Sequence, residues 1–224
     1  MNTTNIRRAV CGTILCTLSL AFFVSPASAA IMAPGASLLA AAEPDPIGGV
    51  VVGATGPVPF ANASYTGTLS STVILGDTTN PFGPGALTFT YLLTNSSLST
   101  GEINRLTVND FAGYLVDASY QAPTAGLPPA RMDRSIGSGD VVGFTFEGAP
   151  FGPGVLIPGT TGALMVVQTN ATVFAPTVAS VIDGVAVSVS SLAPAGIEVP
   201  EPCSVVLVGI GLSMMSCLRL RGRS

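Results

Sequence analysis

The sequence contains no histidine, no lysine and no tryptophan. Without His, a Ser-His-Asp or Cys-His arrangement is impossible, and zinc or copper sites built on imidazole are excluded. Without Lys there is neither a Schiff base nor a Ser-Lys dyad. Cys11, Cys16, Cys203 and Cys217 all lie near the ends of the chain, so the intervening part can hold neither a disulfide nor a thiolate site.

Charge is also scarce and unevenly placed. Charged residues make up 9% of the chain, and five of the eight Arg lie in the segments 1–29 and 200–224. Between Arg8 and Arg219 there are three Arg against twelve acids, a net charge of −9. Such an acidic body repels a phosphate backbone, so nucleic acid is not expected as a partner. The three internal cations are expected to form surface pairs with neighbouring acids: they are Arg105, Arg131 and Arg134, and the acids are Glu102, Asp110 and Asp133.

Carboxylates are the remaining groups that could perform chemistry. Glu102 and Glu147 are nominal candidates for a glycosidase pair, but no tryptophan accompanies them to form a sugar pocket, so we expect ordinary solvated or Arg-paired carboxylates. Asp77, Asp133 and Asp140 lie in Gly- or Pro-bearing loops where calcium could bind, yet no Asp-x-Asp-x-Asp-Gly run is present and turn capping is favoured. The sequence therefore predicts no catalytic, cofactor or metal residues and no enzyme activity.

The N-terminal segment 1–29 has the plan of a secretory signal. Two arginines, Arg7 and Arg8, precede an apolar run at 9–24, and the sequence Ser-Pro-Ala-Ser-Ala follows that run. Pro26 ends the apolar helix so that small residues can enter the pockets of signal peptidase, and we predict cleavage after Ala29. An uncleaved anchor is the alternative, although the run is shorter than the roughly 20 residues that a membrane span prefers.

The C-terminal segment 200–224 reads as a one-pass membrane tail. Pro-Glu-Pro is followed by a nearly uninterrupted apolar run at 203–218 and then by an arginine cluster. The prolines keep the preceding chain extended outside the bilayer. A helix over the apolar run spans about 24 Å, so flanking residues must help it cross a hydrocarbon core of about 30 Å. The arginines remain in the cytoplasm.

This tail closely resembles the PEP-CTERM sorting signal of exported bacterial proteins, over residues 199–224. The resemblance implies processing by a membrane-embedded, transpeptidase-like exosortase, an enzyme of bacteria that make exopolysaccharide. It assigns recognition and membrane retention to two sets of residues. These are Pro200, Glu201 and Pro202 for recognition, and Arg219, Arg221 and Arg223 for retention. The arginine cluster departs from the family plan by being interrupted at Leu220 and Gly222.

The body between these ends is expected to be all-β. The whole chain contains 26 Gly and 18 Pro among many Val, Thr and Ser, and this composition favours short strands and frequent turns. The clearest alternation is at 86–95, where Leu87, Phe89, Tyr91 and Leu93 share one face, so a half-buried strand is predicted there. Further strands are predicted at 50–52, 64–75, 106–111, 113–120, 141–147, 162–174, 178–182 and 184–192.

These segments predict one domain at 48–192, an antiparallel β-sandwich or jelly roll. A parallel β-solenoid is the alternative, but it requires a constant internal repeat and none is found. The Ala-rich and Pro-punctuated segment 30–47 is expected to be a flexible lead-in or a first short helix, and 193–199 a linker.

The expected function is that of an exosortase-sorted protein of the cell surface or extracellular matrix, with a structural or interaction role linked to exopolysaccharide. Exosortase and signal peptidase are the expected processing partners. Exopolysaccharide or other surface proteins are the expected ligands, and the C-terminal helix provides a transient or permanent membrane anchor. The alternative is a carbohydrate-binding or carbohydrate-active extracellular domain, which exposed Tyr and Phe beside paired acids would favour. A Thr/Ser surface without a cleft favours the structural role.

Overall fold

The computed structural model describes residues 31–123 and 125–195. The predicted secretory signal, its cleavage site at Ala29 and the sorting tail lie outside the described residues. The described part folds into twelve strands. They are β1 (Ser37–Leu39), β2 (Ala42–Glu43), β3 (Val50–Ala61), β4 (Thr66–Leu75), β5 (Leu87–Asn95), β6 (Arg105–Val108), β7 (Val116–Gln121), β8 (Arg131–Arg134), β9 (Val142–Thr145), β10 (Met165–Thr169), β11 (Phe174–Asp183) and β12 (Val185–Pro194).

The strands form two sheets of six. Sheet A has the order β1-β8-β9-β6-β11-β12, and sheet B has the order β2-β7-β10-β5-β4-β3. Neighbouring strands are antiparallel, except that β2 runs parallel to β7. Because β1 lies at one edge of sheet A and β2 at the corresponding edge of sheet B, the chain passes from one sheet to the other within residues 39–42.

The two sheets enclose one hydrophobic core. Alternation places every second side chain of β5 between the sheets, and Phe89, Tyr91 and Leu93 have no exposed surface. The ring of Phe89 meets that of Phe111 edge to face, with the ring centroids 6.1 Å apart. Burying each such side chain stabilises the fold by about 1.5–3 kcal/mol, so this shared core holds the two sheets together.

The prediction of an all-β fold is confirmed for the described residues. Strands lie in each of the predicted regions, although the region 162–174 is divided between β10 and the start of β11. The C-terminal strand β12 extends two residues into the expected linker, ending at Pro194. Within residues 31–123 and 125–195, the structure contains no helix with the length and apolar character of a membrane span.

The N-terminal lead-in differs from the expectation. Instead of a flexible segment or a short helix, it contributes β1 and β2, and Met32 is completely buried. The ordering partners come from distant parts of the chain, because β1 pairs with β8 and β2 pairs with β7. The sequence lacks the periodicity that would reveal strands of two or three residues.

The second departure concerns β5, which is buried on both faces and not on one. Thr88 and Thr90, on the face away from the core, are 0% and 3% exposed. The segment 43–47 and the loop after β4 are hydrogen-bonded to each other and to this side of sheet B. We call residues 43–47 the strap; its contacts are described below.

Candidate functional site

An open groove of about 660 Å³ lies on the outer face of sheet A. It is lined by residues of β1, β6, β8, β9 and β11 and by the ends of their connecting loops. In the sheet register Arg105 on β6 and Arg131 on β8 both oppose Thr145 on β9. The two arginines therefore lie on either side of β9 and point into the same groove. Their proximity depends on pairing between strands that are distant in sequence.

Arg105 and Asp133 form a fixed ion pair in the groove. Nη1 and Nη2 of Arg105 each donate to a different carboxylate oxygen of Asp133 at 2.6 Å, and Nη1 also donates to Oγ1 of Thr145 at 2.6 Å. Two parallel hydrogen bonds set the orientation of the guanidinium group. Of the surface pairs expected from the sequence, this is the one ion pair in the described residues, and both side chains remain partly exposed.

Gly143 makes room for this pair. Asp133 lies opposite Gly143 in the sheet register, and Arg105 reaches it diagonally across the glycine. A Cβ atom at position 143 would lie 2.3 Å from Nη2 of Arg105 and 3.1 Å from Oδ1 of Asp133. The absence of a side chain on the central strand therefore lets the guanidinium group lie against the sheet.

Arg131 is the most available cation of the groove. It is exposed, and Nη2 donates a 3.0 Å hydrogen bond to Oγ of Ser37 on β1. In the described part of the chain it forms no ion pair. Its guanidinium group therefore retains donors that can bind an anionic group from outside.

Arg134 is also a lining residue of the groove, but its charge is directed inward. The side chain is 4% exposed, and its guanidinium group donates to four carbonyl oxygens at 2.7–3.0 Å. Burial lowers the pKa of this guanidinium. Its role is to join three backbone segments at one end of the sheets. The carbonyls belong to Met32, Phe111, Tyr114 and Gly139.

Charge is distributed unequally between the groove and the rest of the body. All three arginines of residues 31–195 line the groove, together with the two acids Asp133 and Glu147. Residues 31–195 as a whole contain ten acids. Because the charge of Arg134 is buried, the groove presents Arg105 and Arg131 against these two acids, and the other eight acids lie where the described body has no further arginine. The groove is therefore the least acidic surface of the described body and the one best suited to an anionic ligand.

A second polar cluster lies beneath the strap on the outer face of sheet B. Asp77 is 2% exposed and accepts five hydrogen bonds. Burial acts to raise its pKa, but the hydrogen bonds together outweigh burial and hold the pKa of Asp77 below its usual value. This carboxylate is an ionised structural hub that fastens the strap to β5 and β10. The donors are the backbone amides of Ile47 and Thr79 and the side chains of Thr79, Thr88 and Gln168.

The neighbouring acids of this cluster are less well satisfied. Asp45 and Asp117 are 1% and 3% exposed, and each has a buried oxygen with no hydrogen-bond partner, Oδ1 of Asp45 and Oδ2 of Asp117. Burial and the negative charges of Glu43 and Asp45 raise the pKa of Asp117 to about 7. Burial is also the main cause that raises the pKa of Asp45, although Oγ of Ser119 donates to its other oxygen at 2.9 Å.

The acids singled out from the sequence do not form one site. Glu147 lines the groove, whereas Glu102 is not among the lining residues. Of the three loop acids considered for calcium, Asp133 is held by Arg105 and Asp77 by its five donors, while Asp140 belongs to neither group. Among residues 31–123 and 125–195, no set of three or more His, Cys, Asp or Glu side chains is arranged to hold a metal ion.

Sequence reasoning missed the buried pair Asp45 and Asp117. One signal was present, since Asp117 occupies an outward position of the predicted strand 113–120 and the acid-rich segment 43–45 is short of cations. The arrangement becomes recognisable once β2 is placed beside β7, a pairing that alternation alone does not reveal.

Comparison with known proteins gives no relative for this chain: no protein-family model, no curated protein and no solved structure matches it.

Aromatic side chains are mostly withdrawn from the described surface. Tyr65 and Tyr91 are 1% and 0% exposed, and their hydroxyls donate to backbone carbonyls of β11 and β12 in sheet A. Phe151 is the strongly exposed aromatic residue of the described part, and it does not line the groove. The groove therefore combines charged and aliphatic side chains and has no aromatic platform.

Proposed function

We propose that this protein is an exported component of the cell surface or extracellular matrix, a β-sandwich with a structural and interaction role that binds acidic exopolysaccharide through the groove on sheet A. The observation that carries the proposal is that Arg105 and Arg131, the two arginines of the described body whose charge is not buried, both lie in that groove of an otherwise acidic body. Long-range repulsion by the eight acids outside the groove disfavours anions elsewhere, so binding concentrates where the two cations lie.

Arg131 is the proposed contact for the anionic group of the polymer. Its planar fork matches a carboxylate, and Ser37 and the fixed Arg105–Asp133 pair lie in the same groove. Thr145 and Asn104 also line the groove, and such polar groups can bond sugar hydroxyls. A repetitive polymer can gain strength from many such weak contacts.

Two observations support a non-enzymatic role over a carbohydrate-active one. Glycoside hydrolysis requires two available carboxyl groups, but in the groove Asp133 is bound by Arg105, which leaves Glu147 alone. In the described residues no exposed Tyr and Phe cluster accompanies these acids. The groove thus has features suited to adhesion and lacks the paired groups that catalysis needs.

The terminal segments supply the proposed route to the surface. Signal peptidase cleaves after Ala29, and the exosortase recognises Pro200, Glu201 and Pro202 while the final arginines hold the helix in the membrane. Intact-mass spectrometry of the protein from its native envelope and medium tests this route. A mass lacking residues 1–29 and the segment after Pro202 is expected, and a retained C-terminal helix would instead leave a simple anchor.

Binding is tested with the envelope-processed protein on immobilised polymers. We expect retention on a polyuronate and little on a neutral glucan, with retention decreasing as salt is raised. Arg131→Gln should weaken polyuronate binding about tenfold, because a charge-assisted hydrogen bond contributes about 1.5–3 kcal/mol. Glu102→Gln, which alters a charge outside the groove, is the matched control. Equal binding by wild type and Arg131→Gln would refute the groove as the binding site.

A further inference from the structure

Two unpartnered carboxylate oxygens lie beneath the strap in the absence of any neighbouring cation. They are Oδ1 of Asp45, which belongs to the strap, and Oδ2 of Asp117, which belongs to β7. Both residues are at least nine-tenths buried. A buried carboxylate oxygen without a donor is costly, and two of them with like charges nearby are costlier still.

The titratable and charged groups facing this pair are all acidic. The strap contributes Glu43 and Asp45, and the loop after β4 contributes Asp77, whose own oxygens are occupied by five donors. The arginines of the described body are engaged elsewhere, on the groove side and at the end of the sheets. No positive side chain therefore compensates Asp45 and Asp117.

We propose that Asp117 is protonated in the folded protein, and that loss of this proton loosens the strap from sheet B. The proton on the Asp117 carboxyl group removes a buried negative charge that would otherwise stand beside the acids of the strap, Glu43 and Asp45. Oδ2 of Asp45 continues to accept from Ser119. When the pH rises, the proton leaves to solvent and two like charges face each other in a buried space.

A proton fits this site better than a metal ion does. Calcium requires six to eight oxygen ligands, and magnesium requires a near-ideal octahedron. The described residues contain no set of three carboxylates placed for a metal, and each of the two acids has a single unpartnered oxygen. A buried carboxyl group that has acidic neighbours and no cation takes up a proton because it cannot ionise together with them.

The direction of the pH effect follows from linkage. Asp117 has a pKa of about 7 in the folded protein and an ordinary value of 3.8 when unfolded. Between these values the folded state binds more protons than the unfolded state, so stability falls as the pH rises through that interval. Asp77 has a lowered pKa and titrates at the acid end, whereas burial raises the pKa of Glu43 and of Asp45 as it does that of Asp117. The loss of stability on raising the pH therefore comes from Asp117 together with the acids of the strap.

The decisive variant is Asp117→Asn in the full chain. An amide at position 117 stays uncharged at every pH, as the protonated acid is below pH 7. We expect wild type to lose at least about tenfold in hydrogen-exchange protection at the amide of Ile47 as the pH is raised from below to above 7, and Asp117→Asn to keep its protection. Above pH 7 the variant should therefore be better protected than wild type. Asp140→Asn, which changes an acid outside the cluster, should behave as wild type.

Infrared spectroscopy provides a readout independent of variant folding. Wild type below pH 7 should show the C=O stretching band of a buried protonated carboxyl group, and the band should vanish with a midpoint near 7 and be absent from Asp117→Asn. No such band in wild type, or Asp117→Asn less protected than wild type above pH 7, would overturn the proposal. So would an increase in wild-type protection on adding Ca²⁺ that Asp117→Asn abolishes, since the pair would then hold a cation.

Discussion

The hydroxyl of Tyr91 on β5 donates a 2.8 Å hydrogen bond to the backbone carbonyl of Leu192 on β12, across the core between the two sheets. Tyr91 has no exposed surface, and burial raises the pKa of its hydroxyl well above the usual value. The bond is therefore a neutral one that joins the sheets at every accessible pH.

Replacing Tyr91 with Phe should destabilise the protein by about 1–3 kcal/mol, because the carbonyl of Leu192 is left buried without its donor. Urea denaturation monitored by circular dichroism measures the change, with the m-value expected to remain constant. Tyr120→Phe is the control, since Tyr120 is only partly buried and its hydroxyl makes no hydrogen bond in the described structure. Equal losses in the two variants would show that the hydrogen bond from Tyr91 to Leu192 contributes nothing beyond the removal of a hydroxyl group.

Arg134 should be the most sensitive charged residue of the body. Arg134→Met removes four hydrogen bonds to carbonyls and should cost about 3–5 kcal/mol, since these acceptors become buried without donors. Arg134→Lys should recover only part of the loss, because an ammonium group lacks the planar fork. The denaturation midpoint is the measurement.

Arg131→Met is the matched control for Arg134 because the same change is made at an exposed position of the same strand. Its effect on stability should stay within about 0.5 kcal/mol. A comparable loss at both positions would contradict the assignment of Arg134 as the residue that joins Met32, the 111–114 turn and the loop at Gly139.

The sequence predicted strands best where alternation was long and regular. The inward side chains of 86–95 lie in the core as expected, because Leu87, Phe89, Tyr91 and Leu93 have the period of two that a half-buried strand requires. The outward threonines are not exposed as the pattern predicts, because Thr88 donates a hydrogen bond to Asp77, which lies in a loop outside the strand. Whether the polar face of a strand is buried depends on which distant segments of the chain pack against it.

The groove could not be predicted from local pattern. Strand β8 contains one apolar residue, Met132, between charged neighbours, so it has no hydrophobic signal. The pairing of Arg105 with Asp133 depends on both strands flanking β9. From the sequence all three arginines were expected in surface pairs, whereas the structure gathers the charges of Arg105 and Arg131 in one groove and buries that of Arg134.

Gly143→Ala tests whether the groove depends on the open space beneath Arg105. A Cβ atom 2.3 Å from Nη2 must displace the guanidinium group, so the bonds to Asp133 lengthen and stability should fall by about 1–2 kcal/mol. Polyuronate binding should change as well, since Arg105 no longer lies in the same position. Denaturation and the polymer-retention assay measure the two effects.

Gly56→Ala is the control for the added methyl group, because a Cβ at position 56 meets nothing within 4 Å. That variant should be neutral or slightly more stable, as the unfolded chain loses freedom. If Gly143→Ala were as stable as wild type and bound polymer equally well, neither stability nor polymer binding would depend on the close approach of Arg105 to Gly143.

Asp77→Asn should remove the part of the acid response of stability that Asp77 contributes. Because the pKa of Asp77 is lowered on folding, its stabilising effect is present above its ordinary value of 3.8 and is lost as the pH falls through the lower folded value. At neutral pH the variant should lose about 2–4 kcal/mol, since an amide nitrogen replaces one acceptor among five donors. Towards the acid end wild type loses this contribution and the variant does not, so their denaturation curves should converge. Asp140→Asn should follow wild type throughout, whereas a constant difference between Asp77→Asn and wild type at all pH values would mean that Asp77 does not titrate with unfolding.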